Sequence, residues 1–139
     1  MKRIILCLFC IIFTSYCSEQ VNVDDFKKTL PSHIKSSSVK DCQENIEACT
    51  KLLVKNSKDV TIYCVRACYK FQLNDYKSAI EDYTKAIELD PKCIVAIGNK
   101  GCCKYILGDK NGACEDWKKA DELDTVDNDP YGFISKYCK

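Results

Sequence analysis

Histidine is almost missing from this 139-residue chain. His33 is the only one, and it stands in a polar stretch close to Pro31, where a solvated side chain is the expected state. Glycine and proline are scarce as well, at five and three, which argues against a strand-and-turn architecture and for a helical one. There is no Gly-rich phosphate loop, no H-E-x-x-H and no G-x-S-x-G. The residues therefore name no catalytic group, no metal site and no cofactor, and the chain reads as non-enzymatic. Neither sign of charge dominates: 21 Lys and Arg face 20 Asp and Glu, with no long run of either. A nucleic-acid-binding surface normally shows as a basic patch or stripe, and none is visible.

Long apolar runs are missing too, apart from the start. Lys2 and Arg3 precede an apolar stretch from Ile4 to Phe13, followed by the polar exit Thr14-Ser15-Tyr16-Cys17. That stretch is too short to span a bilayer comfortably, and its layout is that of a secretory leader over residues 1–17. Cleavage after Cys17 places Ser15 and Cys17 at the small-residue sites. Lipid attachment to Cys17 is the second reading, and Tyr16 argues against it. Either route exports the chain to a periplasm, cell envelope or exterior, with membrane contact only through a lipid on Cys17. Without Lys2 and Arg3 the net charge moves from +1 to −1, still near neutral.

Residues 18–39 form a polar linker holding Pro31 and the Ser36-Ser37-Ser38 run. Beyond it the chain repeats itself. At an offset of 34, Asn74-Asp75-Tyr76-Lys77-Ser78-Ala79-Ile80-Glu81-Asp82-Tyr83-Thr84-Lys85-Ala86 aligns with Gly108-Asp109-Lys110-Asn111-Gly112-Ala113-Cys114-Glu115-Asp116-Trp117-Lys118-Lys119-Ala120. Ala67, Cys68, Leu73, Leu89 and Asp90 fall on Gly101, Cys102, Leu107, Leu123 and Asp124. One step upstream a fainter echo puts Ile46, Glu47, Cys49 and Lys51 opposite Ile80, Glu81, Tyr83 and Lys85.

Each unit reads as two helices and a tight turn. Apolar residues recur at helical spacing through Tyr63, Ala67 and Phe71, and again through Ala79, Tyr83, Ala86 and Ile87. Asn74 and Gly108 occupy the turn position that closes a helix through a left-handed residue. Asp75 and Asp109 follow, placed to cap the next helix. Pro91 and Pro130 are expected to open new helices, and the remaining acids to sit on solvent faces in i,i+4 pairs such as Glu81–Lys85. Small residues at Ala67, Ala79, Gly101 and Ala113 let paired backbones approach, with Tyr83 and Trp117 filling the space beside them.

These second helices and their exit turns resemble the tetratricopeptide repeat family, from Lys40 to about Asp127, and the last unit is similar to small exported repeat proteins of Bacteroidetes-type bacteria. The resemblance implies an all-α fold: antiparallel helix-turn-helix repeats stacked as a short right-handed solenoid with a C-terminal capping helix. Its parts are an unpaired helix in 40–59, repeat units at 60–93 and 94–127, and the cap at 128–139. It implies a protein or peptide partner held in a groove lined by the first helices: Thr61, Cys64, Val65, Cys68, Phe71 and Gln72, then Val95, Gly98, Asn99, Cys102, Tyr105 and Ile106. Some members grip a C-terminal carboxylate with Lys, Arg and Asn. Only Asn99 matches that set, so an apolar or aromatic segment is expected, meeting Phe71 and Tyr105. A structural piece of an envelope assembly, using the outer face, is a further alternative.

Nine cysteines remain beyond residue 17, an odd number, so an exported chain keeps at least one thiol or pairs between molecules. The repeat layout brings the cap over the last second helix, which makes Cys114 and Cys138 the disulfide candidate, with Cys103 as competitor. Cys64, Cys68 and Cys102 fall on one groove and offer a soft-metal or thiol-redox alternative. Cysteine as a small apolar filler is the plainer reading, and no two of the nine stand as C-x-x-C.

Overall fold

The computed structural model describes residues 38–124 together with Ile134, Tyr137 and Cys138. The leader at 1–17, Cys17, nearly all of the 18–39 linker, and the 128–139 cap apart from those three residues lie outside the described residues. Within residues 38–124 five helices follow one another: α1 (Val39–Lys55), α2 (Val60–Gln72), α3 (Tyr76–Leu89), α4 (Ile94–Ile106) and α5 (Lys110–Leu123). No strand occurs among the described residues. Helices α2 and α3 form one hairpin and α4 and α5 the next; α3 packs on α4, and α1 packs on α2. The result is an all-α helical repeat.

Local chemistry sets the boundaries. Asn74 and Gly108 both take positive φ, 62° and 90°. Around each, the same pair of hydrogen bonds closes the helix: Asn74 N–H to the Phe71 carbonyl and Asp75 N–H to Lys70, then Gly108 N–H to Tyr105 and Asp109 N–H to Lys104. That is the Schellman arrangement, which satisfies carbonyls a helix end leaves orphaned. Asp75 and Asp109 at once accept from the N–H groups of Ser78 and Gly112, at 3.2 and 2.9 Å. Asp59 does the same for Ile62 at the head of α2.

Two boundaries differ from the sequence reading. Ser38 is no linker residue: its hydroxyl accepts from Asp41 N–H while Asp41 accepts from Ser38 N–H, a reciprocal box that starts α1. Pro91 does not open a helix either. Asp90 holds the chain in a turn by accepting from the N–H groups of Lys92 and Cys93, and α4 begins three residues after the proline.

The core runs between the hairpins. Ala67, Ala79, Ala86, Ala113 and Ala120 are completely buried, as is Tyr83, and Trp117 nearly so. Gly101 is small for a visible reason: a Cβ there would fall 2.6 Å from Trp117 Nε1 and 3.2 Å from the Ala113 carbonyl oxygen. The indole N–H donates to the Gly98 carbonyl at 3.2 Å, fixing the ring against α4.

Two acids expected on solvent faces lie inside. Asp82, 4% exposed, receives Arg66 Nε at 2.9 Å and Arg66 Nη2 at 2.6 Å, with Lys70 Nζ at 2.8 Å. One repeat on, Asp116 sits between Lys100 Nζ at 3.1 Å and Lys104 Nζ at 2.8 Å, the latter an ion pair rather than an aligned hydrogen bond. Each second helix is thus tied to its first helix by a carboxylate between two cations. Lys85 pairs with Glu88, not with Glu81.

Candidate functional site

The positions assigned to the groove fall on one stripe of each first helix. Thr61, Val65, Cys68 and Gln72 recur every three or four residues on α2, and Val95, Asn99, Cys102 and Ile106 are their counterparts on α4. The stripe is unevenly accessible. Thr61 is exposed; Val65, Gln72, Val95, Tyr105 and Ile106 are partly buried; Cys64, Cys68, Phe71, Gly98, Asn99 and Cys102 are buried.

Phe71, expected to meet a partner, belongs to the core. It is 5% exposed, with its ring edge-on to Tyr76 at a centroid distance of 5.0 Å. Its repeat counterpart Tyr105 reaches the surface in part but already stacks with Tyr137 at 4.9 Å and Trp117 at 5.7 Å. The aromatic at this place near the end of the first helix is engaged in packing in both units, which a helical-periodicity argument alone does not reveal.

Asn99 is the buried polar side chain of the stripe. It is 1% exposed, and among the described residues neither its Nδ2 nor its Oδ1 has a hydrogen-bond partner. At the same place in the preceding unit stands Val65. A buried amide without partners costs about 1–3 kcal/mol, so an apolar residue would make the more stable fold.

Charge on the two helices is fully engaged. Arg66 and Lys70 are the only basic residues of α2, Lys100 and Lys104 the only ones of α4, and all four pair with Asp82 or Asp116. Neither helix contains an acid. The stripe therefore presents no uncommitted charge.

The three groove thiols go separate ways. Cys64 Sγ faces Cys93 Sγ at 4.0 Å, Cys68 Sγ contacts the Tyr83 hydroxyl at 3.4 Å, and Cys102 lies in the core. Among the described residues no group of three His, Cys, Asp or Glu side chains is arranged to hold a metal ion. Cys114 and Cys138 are joined as a disulfide, with Cα atoms 5.6 Å apart, and Cys103 remains a buried thiol. Next to the bridge Tyr137 lies against Tyr105 and Trp117, so Tyr137 and Cys138 sit on the last hairpin. No described helix is long and apolar enough to cross a membrane.

With this geometry in view, the comparisons with known proteins agree on the architecture. Residues 60–93 match the family model of the tetratricopeptide repeat. The second TPR of Spaghetti (RPAP3), solved with the HSP90 peptide SRMEEVD, is similar at 25% identity and a TM-score of 0.59, over 60% of this chain and 78% of that one. The second TPR domain of human RPAP3, solved with the HSP70 peptide SGPTIEEVD, is 23% identical with a TM-score of 0.65, over 77% and 98%. The first TPR of Spaghetti, also with SRMEEVD, gives 20% and 0.66 over 71% and 79%. At these identities the last two likenesses speak to the fold alone. No curated protein sequence matches the chain.

Proposed function

We propose that this protein is a non-enzymatic binding module that seats an uncharged segment of another protein against the α2 and α4 stripe. The observation that carries this reading is Asn99: a carboxamide with unused donors and acceptor on the first-helix stripe of a fold whose 25%-identical neighbour is named with a bound peptide. A peptide main chain offers one N–H and one C=O, the pair a carboxamide can meet at once. The flanking Val95, Ile106 and Val65 supply apolar contact. The partner differs in kind from the acidic peptides named with the similar domains, because every cation of α2 and α4 is already neutralised inside its own unit.

The test is Asn99→Val, which copies the residue at the equivalent place of the preceding unit. Removing an unsatisfied buried amide should raise stability by about 1–2 kcal/mol. Losing two neutral hydrogen bonds should weaken binding to a peptide selected from a display library roughly tenfold or more. Thr84→Ala, on the outer helix, serves as control. Binding that survives Asn99→Val intact would exclude this site. The leader pattern of residues 1–17 supports export of the module from the cytosol, to surroundings in which a Cys114–Cys138 bridge persists. The intact mass of the mature chain, starting at Ser18 or bearing lipid on Cys17, decides between secretion and anchoring.

A further inference from the structure

The sulfurs of Cys64 and Cys93 approach to 4.0 Å although 29 residues separate them in sequence. Among the other described cysteines, Cys42 Sγ donates to Gln72 Oε1 and Cys68 Sγ meets the Tyr83 hydroxyl. The two thiols stand in unlike surroundings. Cys64 is inside α2 and 7% exposed; Cys93 is partly exposed, in the short turn between α3 and α4, where it takes the N-cap place of α4.

We propose that Cys64 and Cys93 form a second, reversible disulfide, with Cys93 as the attacking thiol and Cys64 as the resolving one, and with a small-molecule disulfide as oxidant. The step balances as thiol–disulfide exchange. The Cys93 thiolate attacks one sulfur of RS–SR, a Cys93–S–S–R bond forms, and RS⁻ leaves. Cys64, losing its proton, then attacks Cys93 Sγ; the protein disulfide forms and the second RS⁻ departs. One external disulfide is reduced to two thiols and two protein thiols are oxidised to one disulfide.

Position decides the order of attack. The partly exposed Cys93 can be reached from solvent, while buried Cys64 can be reached only from Cys93. Electrostatics point the same way. The Cys64 thiol, donating its hydrogen bond, pulls Cys93 down to about 7, helped by the Ala96 N–H at the start of α4; burial and Asp90 oppose this without cancelling it. A thiol with a pKa near ambient pH is the best attacker. Closing the bond requires the sulfurs to approach by about 2 Å, within reach of a side-chain rotation at Cys93, whose backbone lies in a turn. The bond would tie the first helix of one unit to the entrance of the next, beside the stripe that Cys64 borders.

The experiment uses the full chain, reduced, desalted and exposed to oxidised glutathione, then alkylated and digested with trypsin without reduction. Cleavage at Lys58, Arg66, Lys92 and Lys100 isolates each cysteine in its own peptide, 59–66 and 93–100. We expect these two peptides linked. In Cys64→Ala the reaction should stop at the first step with glutathione on Cys93, and in Cys93→Ser Cys64 should take up none. Recovery of both peptides alkylated, or of Cys64 bound to a different cysteine, overturns the pairing. Glutathione on Cys64 in the Cys93→Ser chain overturns the order of attack.

Discussion

Gly101→Ala sets two effects of opposite sign against each other in the middle of α4. Helix propensity alone favours alanine by about 1 kcal/mol, so a helix whose neighbours could yield would gain stability. Here the new Cβ would lie 2.6 Å from Trp117 Nε1 and 2.8 Å from its Cδ1, closer than real Cβ contacts come. On the other side the Ala113 carbonyl oxygen, part of the α5 backbone, stands at 3.2 Å. The indole must turn, and turning it breaks its 3.2 Å hydrogen bond to the Gly98 carbonyl. Overpacking costs about 1–3 kcal/mol and a stranded buried donor a further ~1–3 kcal/mol. Set against the propensity gain, a net loss of about 2 kcal/mol results, or roughly a 10 °C fall in Tm for a domain this size. Thermal unfolding followed by far-UV circular dichroism measures it. The preceding unit shows the remedy, since Ala67 and Tyr83 stand where Gly101 and Trp117 do. Trp117→Tyr should therefore rescue Gly101→Ala, with the double variant more stable than the sum of the singles by about 1–2 kcal/mol. A Gly101→Ala chain that melts at or above the wild-type temperature would refute the packing argument outright.

Asp82→Asn should cost about 3 kcal/mol, because Arg66 and Lys70 are left nearly buried without a counter-charge; Asp116→Asn should cost less, Lys104 being more exposed. Urea denaturation of both variants checks the order, and equal losses would contradict it. Gly108→Ala should lower stability by about 1–2 kcal/mol although a Cβ there meets nothing, since its φ of 90° suits glycine alone. A loss within error would mean the turn changes shape freely. Alkylation rates at pH 7 should rank Cys93 about five-fold above an ordinary exposed thiol, the larger thiolate fraction being partly offset by weaker nucleophilicity. Cys42 and Cys49 should lag well behind: burial and then Asp41 raise the Cys42 pKa, and burial raises that of Cys49, with Arg66 opposing and Asp82 adding to it. Time-resolved alkylation mass spectrometry reads all three, and a Cys93 no faster than Cys49 would show that its thiolate is not stabilised.

The repeat was legible because it is written twice at a fixed spacing, and the turns were legible because their chemistry is local. Asn74 with Asp75 and Gly108 with Asp109 need no tertiary neighbour to be read as a left-handed closure followed by a cap. The fate of a side chain between helices was not legible in the same way. Asp82 lies one residue from Glu81, and both look alike in a list of charges. Only the helix rotation that turns Asp82 towards Arg66 and Lys70 buries one and leaves the other exposed. The pairing itself could have been found, since the offset that aligns the units also carries Arg66 onto Lys100, Lys70 onto Lys104 and Asp82 onto Asp116. Phe71 misled for the opposite reason. Its family position suggests a groove, but its neighbour Tyr76, just past the turn, offers an edge-on aromatic contact that draws the ring inward.

That pairing also bears on what the module can bind. A groove that grips a carboxylate needs cations whose charge is not satisfied within the fold. In this chain each first helix carries two, spaced four residues apart on the side turned to its own second helix, and each second helix returns one buried carboxylate. Moving such a cation to a ligand would take from buried Asp82 or Asp116 one of its two counter-charges, at a cost of about 1–3 kcal/mol. An exposed ion pair with a ligand, worth about 0.2–1 kcal/mol, cannot repay that. Electrostatics thus weigh against acidic termini as partners, and in the proposed reading the unused hydrogen-bonding capacity of Asn99, beside Thr61 and Gln72, is a polar element by which these two helices would recognise a main chain.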